Sequence, residues 1–272
     1  MSKELCVIQA NCQVDGLVKL LFQNKAFNQR FTLRRYTNFM HEAVPYEELS
    51  RCAVFIYQHL GSKWNEQSSD CLLKQVNPKA KVLKIPNLLF KGYWPFWTNQ
   101  SPSEFGDFFL DKLIAMGLNK SEIMHIYLHG KLDRKYDLQA MFEESVAIER
   151  EKELGCLVQT VDLVLEKYKQ QQIFYTINHP APWLLALLGE ALFKELDLPI
   201  SASFYEEFPD PYPELQLPVH PQLAKIHDLK FAGEHTRYNV YGKMKTFAEY
   251  TSNYIDSQLL DFKPLTSYLQ LV

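Results

Sequence analysis

Leu5-Cys6-Val7-Ile8-Gln9-Ala10-Asn11-Cys12-Gln13-Val14 is the stretch whose reading decides the fold. Leu5 to Gln9 is a short β-rich run, and the apolar positions of Val14 to Phe22 recur at helical spacing. A buried strand passing within a few residues into a helix is the opening of a parallel α/β sheet. Cys12 lies in the turn between them, where unpaired helix N–H groups and the helix dipole favour a thiolate. A lone cysteine at a strand end also reads as packing, because cysteine is among the most buried residue types.

Working outward, β-rich runs recur at 31–36, 53–58, 81–85 and 173–177. Helical patterns cover 14–22, 103–116, 138–154, 157–168 and 181–196. This alternation predicts an α/β fold, a three-layer, mostly parallel sheet flanked by helices. Beyond residue 198, Pro199, Pro209, Pro211, Pro213, Pro218 and Pro221 interrupt any regular element. The expected organisation is therefore an α/β core over 1–198 and an irregular, then helical, extension over 199–272 packed on it as one structural unit, with a helix over 243–260.

Among the 272 residues, 29 Lys and Arg face 32 Asp and Glu, a formal charge of -3 that offers no bulk attraction to nucleic acid. Five cysteines without a CxxC pair read as reduced thiols and point to the cytoplasm. The most apolar helical stretch, 181–193, is too short to span a bilayer and contains Glu190. His125 and His129 are spaced i, i+4 without the glutamate of an H-E-x-x-H site, so no metal centre is expected. G-x-S-x-G, G-x-x-x-x-G-K-[ST] and G-x-G-x-x-G are all missing, which argues against ordinary α/β-hydrolase, P-loop and Rossmann readings.

Four polar clusters follow predicted strands: Asn11-Cys12-Gln13, Gln58-His59, Pro86-Asn87 and Asn178-His179-Pro180. In open α/β sheets, ligands bind beyond the carboxyl ends of the strands, so Cys12, Gln58, Asn87 and His179 are expected in one crevice. A thiol, an imidazole and amide donors are the parts needed for acyl transfer. Cys12 and His179 are the candidate catalytic pair, with Asn11, Gln13, Gln58, Asn87 and Asn178 as oxyanion or polar support. Asp15, Asp133 and Asp162 are candidates to orient the histidine. The aromatic stretch Phe90-Lys91-Gly92-Tyr93-Trp94-Pro95-Phe96-Trp97 reads either as a platform for a ring or as core.

Asn11-Cys12-Gln13, Ile85-Pro86-Asn87 with Phe90 and Gly92-Tyr93-x-Pro95, and Asn178-His179-Pro180 together resemble the polysaccharide-biosynthesis acetyltransferases of the WcbI type. The resemblance spans roughly residues 5–229, including Ser145, Arg150-Glu151 and Leu217-Pro218-x-His220-Pro221. It implies a distantly SGNH-like fold, use of coenzyme A or acetyl-coenzyme A as substrate, and O-acetylation of a sugar for bacterial capsular or surface polysaccharide. Cys12 takes the nucleophile position and His179 that of the base. Two departures stand out: Ala10 replaces a glycine, and Phe96 stands where an acidic residue often follows. Binding of coenzyme A would call for basic groups at the phosphates; Lys91, Arg134 and Arg150 are the candidates, with Tyr93 beside them. The alternatives are an SGNH-like thioesterase or esterase passing the acyl group to water, and a non-catalytic coenzyme A or glycan-binding protein.

Overall fold

The computed structural model describes residues 2–101 and 103–272. In chain order it runs β1 (Glu4–Ala10), α1 (Val14–Gln23), α2 (Lys25–Arg30), β2 (Phe31–Thr37), α3 (Tyr46–Leu49), β3 (Val54–Gln58), α4 (Ser69–Leu73) and β4 (Lys81–Ile85). There follow β5 (Trp97–Thr98), β6 (Gly106–Asp107), α5 (Phe108–Ala115), α6 (Lys120–His129), α7 (Leu132–Lys135), α8 (Leu138–Lys152), α9 (Val161–Lys167), β7 (Phe174–Thr176), β8 (His179–Pro180) and α10 (Pro182–Glu195). The chain ends through α11 (Phe204–Glu207), α12 (Pro221–Ile226), β9 (Tyr238–Val240), β10 (Lys243–Lys245), α13 (Phe247–Leu259) and α14 (Leu265–Leu271).

Two compact units share this chain. One comprises Met1–Leu89, Glu149–Leu163 and Asn178–Pro211; the other Phe90–Ile148, Val164–Ile177 and Tyr212–Val272. Residues 199–272, read above as one extension, are thus divided between them.

The first unit holds a parallel sheet of order β2-β1-β3-β4. Side chains alternate across it, as strand geometry requires. Val7, Phe55 and Tyr57 pack with Leu49, Cys52, Leu72 and Val76 on one face. Cys6, Ile8 and Ile56 are buried on the other. Helix α1 buries Val14, Leu17, Leu20 and Leu21, and α10 lies against it. Pro182 sits at the start of α10, where a missing N–H costs nothing. Gly189 allows the close approach of the two helices: a Cβ there would stand 2.1 Å from Leu20 Cδ2.

In the second unit, β5 and β6 form a short antiparallel ladder. Asp107 Oδ1 then caps α5 by accepting the N–H groups of Phe109 and Leu110, both at 2.9 Å. The helix expected over 103–116 therefore starts only at Phe108. The run 173–177 does not join the four-stranded sheet; its carbonyls are taken within its own unit, Ile177 O by Phe90 N at 2.9 Å and Tyr175 O by Leu217 N at 2.7 Å. Lys243–Lys245 pairs with β9, so the helix expected from 243 begins after Thr246, whose capping box with Glu249 fixes its start. The helix expected over 157–168 is Val161–Lys167, because buried Glu153 accepts from Thr160 N and Val161 N. Among the described residues no helix is long and apolar enough to cross a membrane.

Candidate active site

Because β1, β3 and β4 are parallel, their carboxyl ends at Ala10, Gln58 and Ile85 share one edge of the sheet. The turns that follow are joined by amide side chains. Asn11 N donates to Gln58 Oε1 at 2.8 Å, and Gln58 Nε2 donates to Gln13 Oε1 at 2.8 Å and to Pro86 O at 3.1 Å. Gln13 Nε2 in turn donates to Leu88 O at 2.5 Å and to Asn178 O at 2.8 Å. Asn11 Oδ1 accepts from Gln13 N at 2.9 Å, and Asn11 Nδ2 donates to Asn87 Oδ1 at 2.5 Å. Asn11, Gln13, Gln58, Asn87 and Asn178, singled out from sequence, all meet here.

The geometry separates their roles. Gln13 and Gln58 are buried, and each primary amide has both hydrogens engaged and its oxygen occupied. Gln13 N is held by Asn11 as well. Neither side chain has a donor left for an oxyanion, so both brace the crevice. Asn11 keeps one amide hydrogen, and exposed Asn87 has its Nδ2 beyond the bond to Asn11. The carbonyls of Pro86, Leu88 and Asn178 complete the network, and no sequence signal marks a backbone oxygen.

Cys12 sits in the turn before α1, and Asn178 Nδ2 donates to its Sγ at 3.0 Å. Burial pushes the thiol up to about 11; the N–H groups of Cys12 and Gln13 pull it down by less, and Asp15 raises it further. The thiolate expected from a helix N-terminus is thus not the resting form: desolvation outweighs the backbone donors. His179 follows the residue that contacts the thiol. Burial lowers its pKa to about 4, so the imidazole is neutral at pH 7 and a weaker base than an ordinary histidine.

The remaining candidates are spread over both units. Tyr93, in the second unit, is fully buried, with its hydroxyl on the carbonyls of Tyr168 and Gln171 at 2.8 and 3.1 Å, which makes it core. Lys91, also there, lies 5.0 Å from the Trp97 ring centroid, and Arg134 is exposed on α7. Arg150, in the first unit, pairs with Asp162 at 2.5 Å in an exposed bridge. Asp15 pairs with Arg35 at 3.2 Å, and Asp133 is exposed on α7. No cluster of metal-ligating side chains occurs among the described residues.

A parallel α/β sheet whose strand-end turns join a half-buried cysteine to a brace of amides defines a class of α/β proteins with a cysteine at the carboxyl edge of the sheet. Residues 5–201 match the model of the polysaccharide biosynthesis enzyme WcbI, and the chain belongs to that family of enzymes. Its fold is similar to a solved structure of WcbI, described as the native protein without a disulfide bond between coenzyme A and one of its cysteines. The two share 16% identity over 99% of each chain, with a TM-score of 0.71. No curated protein sequence matches.

Proposed function

We propose that this polysaccharide biosynthesis enzyme transfers an acetyl group from acetyl-coenzyme A to a sugar hydroxyl, with Cys12 and His179 at the reacting centre. The observation that carries the reading is the hydrogen bond from Asn178 to Cys12 Sγ, one residue before a half-buried, neutral histidine. The coenzyme A named with the WcbI structure is consistent with a thioester donor. All five cysteines are free, which fits the reducing cytoplasm.

His179 takes the proton of Cys12 as the sulfur attacks the thioester carbonyl, and returns it to the departing coenzyme A sulfur. It then takes the proton of the sugar hydroxyl as that oxygen attacks the acetyl-cysteine, and Cys12 recovers a proton when the bond breaks. The remaining hydrogen of Asn11 and the amide of Asn87 serve the oxyanion. With the thiol at about 11 and the imidazole at about 4, a preformed ion pair is disfavoured by about 10^7 before mutual attraction. Proton removal is therefore concerted with attack. The raised pKa of the thiol by itself favours a second route, in which Cys12 stays protonated and the sugar hydroxyl attacks the thioester directly with His179 taking its proton.

Incubation with acetyl-coenzyme A and no acceptor, followed by peptide mass analysis, separates the routes: acetyl-Cys12 accumulates only in the first. Cys12→Ala is expected to abolish transfer while coenzyme A still binds. Wild-type turnover in that variant refutes a chemical role for the thiol. Coenzyme A release without acceptor would identify a hydrolase, and tight binding without turnover a binding protein.

A further inference from the structure

Helix α6 carries two histidines that the proposed chemistry does not use. His125 and His129 are spaced i, i+4, so both imidazoles stand on one face of the helix, and both are exposed. Their ring centroids lie 5.4 Å apart with the planes at 53°. Two imidazole nitrogens at about 2.0–2.1 Å from a tetrahedral zinc ion set their ring centroids about 5 Å apart. Little movement therefore separates the pair from a chelate. Among the described residues neither ring makes a hydrogen bond that an ion would have to break.

The helix beneath them is fixed at both ends. The Asn119–Glu122 capping box sets its start, and Lys120 pairs with Asp256 of α13 at 2.6 Å. Ile123 and Tyr127 are buried. Gln222 Nε2 donates to Leu128 O at 2.9 Å and to Gly130 O at 2.7 Å, and His220 Nε2 meets Tyr127 O at 2.9 Å, which pins the last turn. Ligands on a fixed element lose little freedom when they bind. His129 also lines a cavity of about 560 Å³ with Lys225, Asp228 and Glu234, so there is room for the waters of an ion held by few protein atoms. The glutamate of an H-E-x-x-H centre is missing, Ile126 standing in its place, and the pair is no catalytic zinc site. Imidazole suits nickel, copper and zinc, whereas magnesium and calcium take oxygen ligands.

We infer that His125 and His129 form a two-histidine anchor for a late first-row divalent cation. With no third protein ligand grouped beside them among the described residues, water completes the coordination. The site lies within the second unit and stands independently of the acetyl-transfer reading. The test titrates the full chain, without an affinity tag, with nickel chloride alone in a calorimeter. One ion per chain is expected. Affinity should fall at least about tenfold in His125→Gln and in His129→Gln, because each leaves one imidazole of a linked pair. Glutamine keeps the helix propensity, and circular dichroism confirms the fold of each variant. Nickel should also raise the urea midpoint of wild type and leave that of either variant unchanged. Failure of wild type to bind nickel at millimolar concentration, or binding by either variant as tight as wild type, overturns the inference.

Discussion

The Cys12 thiol offers the sharpest test of the site. With a pKa of about 11 rather than the ordinary 9.0, the thiolate at pH 7 falls from roughly one molecule in 10^2 to one in 10^4. Its intrinsic nucleophilicity rises by roughly six- to tenfold over the same interval, given a Brønsted coefficient of about 0.4–0.5. Alkylation of Cys12 in the native chain should therefore be at least about tenfold slower than in the urea-unfolded chain, with steric shielding adding to that. The assay is iodoacetamide labelling from pH 6 to 11, quantified on the peptide containing Cys12, with circular dichroism confirming the fold at each pH. The native rate should climb with a midpoint above that of the unfolded chain. The linkage has a definite sign. Stability from the protonated thiol is complete below 9.0 and is lost as pH rises through about 11, about 2.7 kcal/mol over the whole interval. A midpoint near or below 8, or native labelling faster than unfolded, would mean the helix terminus wins over burial and would refute the reasoning.

Gln58→Leu removes the amide that joins Asn11, Gln13 and Pro86; urea unfolding should show a loss of at least about 1–3 kcal/mol for the polar atoms left unbonded. Gly189→Ala should destabilise by about 1–3 kcal/mol through collision with Leu20, and adding Leu20→Ala should recover part of it in a double-mutant cycle. Burial raises the Asp107 carboxyl to about 7, against opposing hydrogen bonds from Tyr127, Leu110 and Phe109. Its contribution is present below the ordinary 3.8 and lost as pH rises through about 7, so wild type should weaken between pH 5 and 8 by about 3 kcal/mol more than Asp107→Asn. Equal pH dependence in denaturant midpoints of the two proteins would exclude this.

The central strands β1 and β3 were legible because a strand covered on both faces is a near-continuous apolar run ended by the polar residues of the turn, and the edge strands β2 and β4 from their β-branched and aromatic residues between charged ones. The amides after them were legible for the same reason: Asn11, Gln58 and Asn87 stand where such runs stop, and parallel pairing puts those stops along one edge. The run 173–177 has the same composition but bonds to residues near 90 and 217, and composition does not encode the partner. The cap on α9 depends on Glu153 folding back on Thr160, and the division into two units on contacts between distant segments. The motif around Tyr93 marked a special position but not its use, which depends on Tyr168 standing under the phenol. For Cys12, sequence displays the favourable helix terminus and hides the opposing desolvation.

The brace of Gln13, Gln58, Asn11 and Asn87 is built wholly of carboxamides and peptide groups. None of these gains or loses a proton between the carboxylate and thiol ranges, and none carries a charge for salt to screen. The frame of the crevice is accordingly indifferent to buffer. On the proposed acetyl transfer, a pH dependence of the rate is then to be sought in the thiol, the imidazole or the substrates, with little contribution from the amide scaffold around them.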